Sequence, residues 1–94
     1  MLSKIPVDLE DVKKGDRDKE IIRAGVIAEL DAINLYEQMA AMAEDKTLKN
    51  ALLDIANEEK THVGEFLTLL LKKDGEQKVE LEKGRKEIEE LIGK

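Results

Sequence analysis

Cysteine is absent from this 94-residue chain. That excludes disulfides, zinc ribbons, thiol catalysis and iron–sulfur clusters. Proline occurs once, at Pro6, and nothing resembles the roughly 20 apolar residues that a membrane-spanning helix needs. Even Leu69–Leu71 runs straight into Lys72 and Lys73. The opening MLSKIPVDLEDVKKGD lacks the uninterrupted apolar core of a signal peptide. Basic charge is in deficit: 16 Lys and Arg against 22 Asp and Glu leave a net charge of −6. A nucleic-acid backbone demands a basic surface, so neither nucleic acid nor a membrane is expected as a partner. The composition fits a cytoplasmic protein that attracts small cations.

Helical periodicity takes up most of what remains. From about Asp18 to Ala43 there is no Pro, and Gly25 is the only Gly. Apolar residues recur there at helical spacing. Asp45 is the expected N-cap of a second helix that ends near Lys73, at Asp74-Gly75. Each helix would be about 40 Å long at 1.5 Å per residue, and so short a link forces an antiparallel hairpin. A third, shorter helix from Gln77 to about Leu91 carries Leu81, Ile88 and Leu91 on one face, with Gly84 weakening its centre. Residues 1–16, with Pro6 and Lys14-Gly15-Asp16, read as an irregular lead-in or a short helical turn. The fold class is therefore all-α, an antiparallel two-helix hairpin plus a short C-terminal helix within one domain, 1–94. A chain of this size often needs a partner, a metal or both to be stable.

The chemistry sits where two apolar seams are interrupted. The first helix has the seam Ile22, Val26, Glu29, Ile33, Tyr36, Ala40, Ala43, and the second has Leu48, Leu52, Ile55, Glu59, His62, Phe66, Leu69. Both are apolar except at the middle, and a carboxylate on a packing face is costly unless something pairs with it. Glu59 and His62 have the Glu-x-x-His spacing, which puts both side chains on one helical face where they can reach the same ion. The spacing alone arises by chance in many helices, and a single His is often a packing residue. Placement within the seam, with Asp31, Glu37, Glu44 and Glu58 lying off it, favours metal binding over a solvated face.

In di-metal four-helix bundles two helices each supply a Glu and two others each supply Glu-x-x-His. This chain holds half of that inventory, and a twofold dimer supplies the rest. The completed ferritin-like bundle would present Glu29, Glu59 and His62 from each of two chains, a set suited to iron or manganese. Carboxylates stabilise ferric over ferrous iron, and two irons about 3.5–4 Å apart can deliver two electrons to dioxygen together. The expected activity is that of a ferroxidase. Tyr36, two turns after Glu29, can donate a hydrogen bond or an electron, or it can be a core aromatic with its hydroxyl at a wet edge.

Ala28-Glu29-Leu30-Asp31-Ala32-Ile33-Asn34-Leu35-Tyr36 followed by Glu58-Glu59-Lys60-Thr61-His62 resembles the encapsulated ferritins, short ferritin-like proteins that work inside encapsulin nanocompartments. The resemblance covers roughly residues 20 to 92. It implies that Glu29, Glu59 and His62 bind a di-iron centre and that Tyr36 is the family's nearby tyrosine. Leu35 stands where the family often has tryptophan. The resemblance also implies an acidic metal-uptake cluster, to which Asp31 can contribute and Ala28 cannot. It further implies a ring of dimers, typically a decamer, and an encapsulin shell as partner, with some archaeal members fused to that shell. Two alternatives stay open. One is a peroxidase like rubrerythrin, or a manganese catalase, although a rubrerythrin's second iron centre needs CxxC pairs. The other is a non-catalytic helical interaction module in which polar seam residues only set register.

Overall fold

The computed structural model describes residues 14–94, and of the expected lead-in 1–16, residues 1–13 lie outside them. A 3-10 turn, Lys14–Asp16, feeds helix α1 (Arg17–Met42). Helix α2 (Lys46–Lys73) returns antiparallel, and α3 (Gly75–Ile92) follows. The all-α hairpin with a shorter third helix is as the sequence predicts.

Local chemistry explains the boundaries. Asp45 accepts a hydrogen bond from the Leu48 amide at 2.8 Å, satisfying a donor that the first turn of α2 leaves unpaired. Lys72 and Lys73 occupy the last turn of α2, where the helix dipole favours positive charge. Asp74-Gly75 does end α2, but Gly75 is already the first residue of α3, which starts two residues before the expected Gln77. The cause is Asp74, whose Oδ1 accepts from the Gln77 amide at 3.0 Å and so caps α3 as soon as α2 stops. Its Oδ2 takes a hydrogen bond from Arg23 Nη2 of α1 at 2.8 Å. One carboxylate thus ties all three helices at one corner. The Gln77 amide first, and then Arg23, hold the Asp74 carboxyl below its ordinary pKa.

The core between α1 and α2 is a single strip: Ile22, Ala40, Leu52, Ala56 and Leu70. Ala40 and Ala56, each 1% exposed, let the backbones approach closely. On α1 the expected seam holds, with Ile22 and Ala40 buried and Val26, Glu29, Ile33, Tyr36 and Ala43 half-buried. On α2 the seam splits. Leu52 is buried, but so are Ala56 and Leu70, which lie off the seam, whereas Leu48 and Leu69 are each 50% exposed. A helix of 3.6 residues per turn drifts away from a strict heptad line, and one neighbouring helix covers only one strip. The result is two adjoining rows. The inner row, Leu52, Ala56, Glu59, Phe66 and Leu70, faces α1. The outer row, Leu48, Ile55, His62 and Leu69, repeats every seven residues and is open to a large extent.

Helix α3 packs against α2 near the corner. It leaves Leu81, Ile88 and Leu91 exposed, and none of its residues is buried. Among the described residues no helix is long and apolar enough to cross a membrane.

Candidate metal centre

Glu29 projects from the middle of α1, and Glu59 and His62 project from adjacent turns of α2. The two α2 residues lie three apart and share a face. The antiparallel hairpin puts the third at the same height. One potential ligand atom from each of Glu29, Glu59 and His62 lies within 4.8 Å of the other two. His62 Nδ1 is 3.3 Å from Glu59 Oε2 and 3.5 Å from Glu29 Oε2. The carboxylate side chains are largely covered, at 19% exposed for Glu29 and 18% for Glu59, while that of His62 is 45% exposed.

The donors fit a cation better than they fit one another. Glu29 Oε2 is shielded from solvent and makes no hydrogen bond, although His62 Nδ1 lies 3.5 Å away. A buried, unsatisfied acceptor is costly, and two carboxylates converging on one imidazole add mutual repulsion. A bound divalent cation removes both costs. Carboxylate oxygens with an imidazole nitrogen are the donor set of iron and manganese sites. One chain offers three potential ligands, and His62, the most exposed of them, lies in the α2 row that also holds the exposed Leu69 and the half-buried Ile55. Further ligands have an open approach from that side.

The other residues singled out from sequence fall around this cluster. Tyr36 is half-buried on the α1 seam and makes no hydrogen bond to Glu29, Glu59 or His62. Asp31, half-buried, is outside the three-residue group, because residues two apart on a helix point to different faces. Glu37, Glu44 and Glu58 are exposed, as their off-seam positions imply, and Glu37 pairs with Lys60 across the hairpin at 3.3 Å. Sequence reasoning noted Gly25 and placed Phe66 on the α2 seam, but did not foresee that the two meet one turn away from the cluster. The available signal was that Gly25 is the sole glycine of its helix.

Comparison with known proteins bears on the family and the fold. Residues 5–85 match the EncFtn-like family. The ferritin-like–encapsulin shell fusion protein of Pyrococcus furiosus is 60% identical over 74 residues, 79% of this chain and 21% of that protein. The chain therefore spans about a fifth of that relative's length. The crystal structure of the encapsulated ferritin domain from Pyrococcus furiosus superposes with a TM-score of 0.84 at 49% identity, covering 100% of this chain and 98% of the other. With residues 5–85 matched to the family and the solved domain superposing at 49% identity, this chain belongs to the encapsulated ferritin (EncFtn-like) family.

Proposed function

We propose that this chain is a ferroxidase that oxidises Fe(II) to Fe(III) with dioxygen at a di-iron site formed between two copies of itself, for iron storage or detoxification. The observation that carries this reading is the convergence of Glu29, Glu59 and His62 beside an apolar row left open to solvent. A twofold axis against that row doubles the set to four carboxylates and two imidazoles, enough for two ions. The second hairpin would cover Leu48 and Leu69 and take the His62 imidazole out of water. The carboxylates lower the cost of the ferric charge. Each of two ferrous ions, the substrates, loses one electron, and dioxygen takes up two electrons and two protons to leave as hydrogen peroxide. Tyr36 stands on the same α1 face as Glu29, two turns on, where it can supply an electron or a hydrogen bond. Asp31, outside the cluster, adds negative charge that draws in ferrous ions.

The proposed working state is a homo-oligomer of hairpin dimers, a ring-shaped decamer by its family resemblance, inside a cytoplasmic encapsulin nanocompartment. The names of the two Pyrococcus furiosus relatives support a shell partner, since one is a shell fusion and the other an encapsulated domain. The uncovered apolar face of α3 supports contacts beyond the dimer.

The test is anaerobic loading with ferrous iron, then addition of oxygen, followed by absorbance for wild type and Glu59→Ala. Rapid ferric absorbance in wild type, lost in a variant of unchanged helicity, is the expected result. Equal rates in both proteins would sink the assignment.

A further inference from the structure

Gly25 and Phe66 touch across the hairpin more closely than any residue with a side chain would allow. A Cβ built on Gly25 would lie 2.7 Å from Phe66 Cε1 and 2.9 Å from its Cδ1 and Cζ. The backbone of α1 therefore runs directly against the edge of the ring. Gly25 lies four residues before Glu29, and Phe66 lies four residues after His62, so this contact is the layer one turn from the ligand cluster on both helices at once. The layer beyond it holds Ile22 and Leu70, both buried. A glycine in the middle of a helix costs stability that alanine would restore, so its presence here is explained by what it permits, the close seating of the ring.

We propose that Gly25 and Phe66 are positioning residues for the Glu29–Glu59–His62 centre: the ring resting on bare backbone sets the separation of α1 and α2 at the height where Glu29 must meet His62. This inference rests on the metal-binding reading of that cluster. Glu29 is the only one of the three ligands on α1, so its reach to the other two depends wholly on the interhelix distance. Glu59 and His62 share a helix and keep their 3.3 Å relation whatever α1 does. A methyl group at position 25 must move either the ring or the helix. With Ile22 and Leu70 packed in the next layer, the helix gives way, and Glu29 is drawn off the imidazole.

The experiment measures ferrous affinity by anaerobic titration of the full chain in four proteins: wild type, Gly25→Ala, Phe66→Leu and the double variant. Helicity and melting temperature are recorded beside it. Gly25→Ala favours helix formation, so the variant keeps its helical signal. Its affinity is expected to fall about 10-fold, the range seen when groups that orient metal ligands are lost. In the Phe66→Leu background, where the ring is gone, the same glycine substitution is expected to cost almost nothing. An unchanged affinity in Gly25→Ala, or an equal loss in both backgrounds, overturns the positioning role while the metal reading stands. If wild type takes up no iron, the metal reading fails and this inference with it.

Discussion

Nδ1 of His62 lies 3.3 Å from Oε2 of Glu59, one helical turn away on the same face of α2. An isolated helix could hold this pair, but a third donor, Glu29, comes from the opposing helix at 3.5 Å. The charge of Glu59, beyond its shape, is what a cation needs. Glu59→Gln retains an oxygen that can accept from His62 and removes the negative charge. Ferrous oxidation in stopped-flow absorbance is expected to slow by at least about 10-fold, as when ligand-shell groups are lost. A Gln variant as fast as wild type would mean that the pair only holds helix register.

Glu29 Oε2 is a shielded acceptor that makes no hydrogen bond, so site and stability are in conflict there. Glu29→Gln removes a shielded charge and brings an amide that can donate to Glu59. The metal-free variant is expected to melt higher than wild type, by about 1 kcal/mol in unfolding free energy. The same variant loses ferrous affinity. Thermal melting in chelator and anaerobic titration read the two effects, and a lower melting point in chelator would contradict the account of Glu29 as strained.

A dimer that converges four carboxylates on one axis is opposed by their repulsion until cations arrive. Ferrous iron is therefore expected to shift the monomer–dimer balance toward dimer, and chelator to reverse it, by simple linkage. Sedimentation velocity with and without iron reads this directly. A sedimentation profile indifferent to both additions would separate assembly from metal binding.

Asp74 predicts a pH dependence. Its carboxyl is held below the ordinary value of 3.8, by the Gln77 amide first and by Arg23 as well. A carboxyl with a lowered folded-state pKa adds stability that is complete above the ordinary value and is lost as pH falls through the lowered one. Asp74→Asn keeps an oxygen to cap α3 but loses the charge facing Arg23. Its melting temperature at pH 7 should lie below that of wild type, and the gap should close as pH falls below 3.8. A gap of constant size down to pH 2 would show that the charge of Asp74, facing the Gln77 amide and Arg23, adds nothing.

Helix positions and the Glu59–His62 pair were legible in the sequence because both depend on near neighbours in the chain. Asp45 caps through an amide three residues on, and Glu59 and His62 meet at i and i+3. The Arg23–Asp74 contact joins residues 51 apart, and nothing local to either announces it. Gly75 reads as a stop signal, yet it opens α3 with no positive φ, because the capping carboxylate beside it outweighs the glycine. The heptad line through α2 predicted burial of Leu69, whereas Leu70 is the buried residue. A periodic pattern carries the width of an apolar face, and only a neighbouring helix picks which strip of it becomes core.

By itself the sequence determined that the chain is helical, that its two long helices fold back on each other, and that an acidic pair and an imidazole share their mid-height. These follow from periodicity, capping and the shortness of the turn. Tertiary structure alone decided the rest. It turned Glu59 inward and left His62 at an open edge, seated Phe66 on bare backbone at Gly25, and tied the three helices through Asp74. These depend on the rotation and separation of two packed helices, which the sum of many weak contacts sets and no single stretch of sequence encodes.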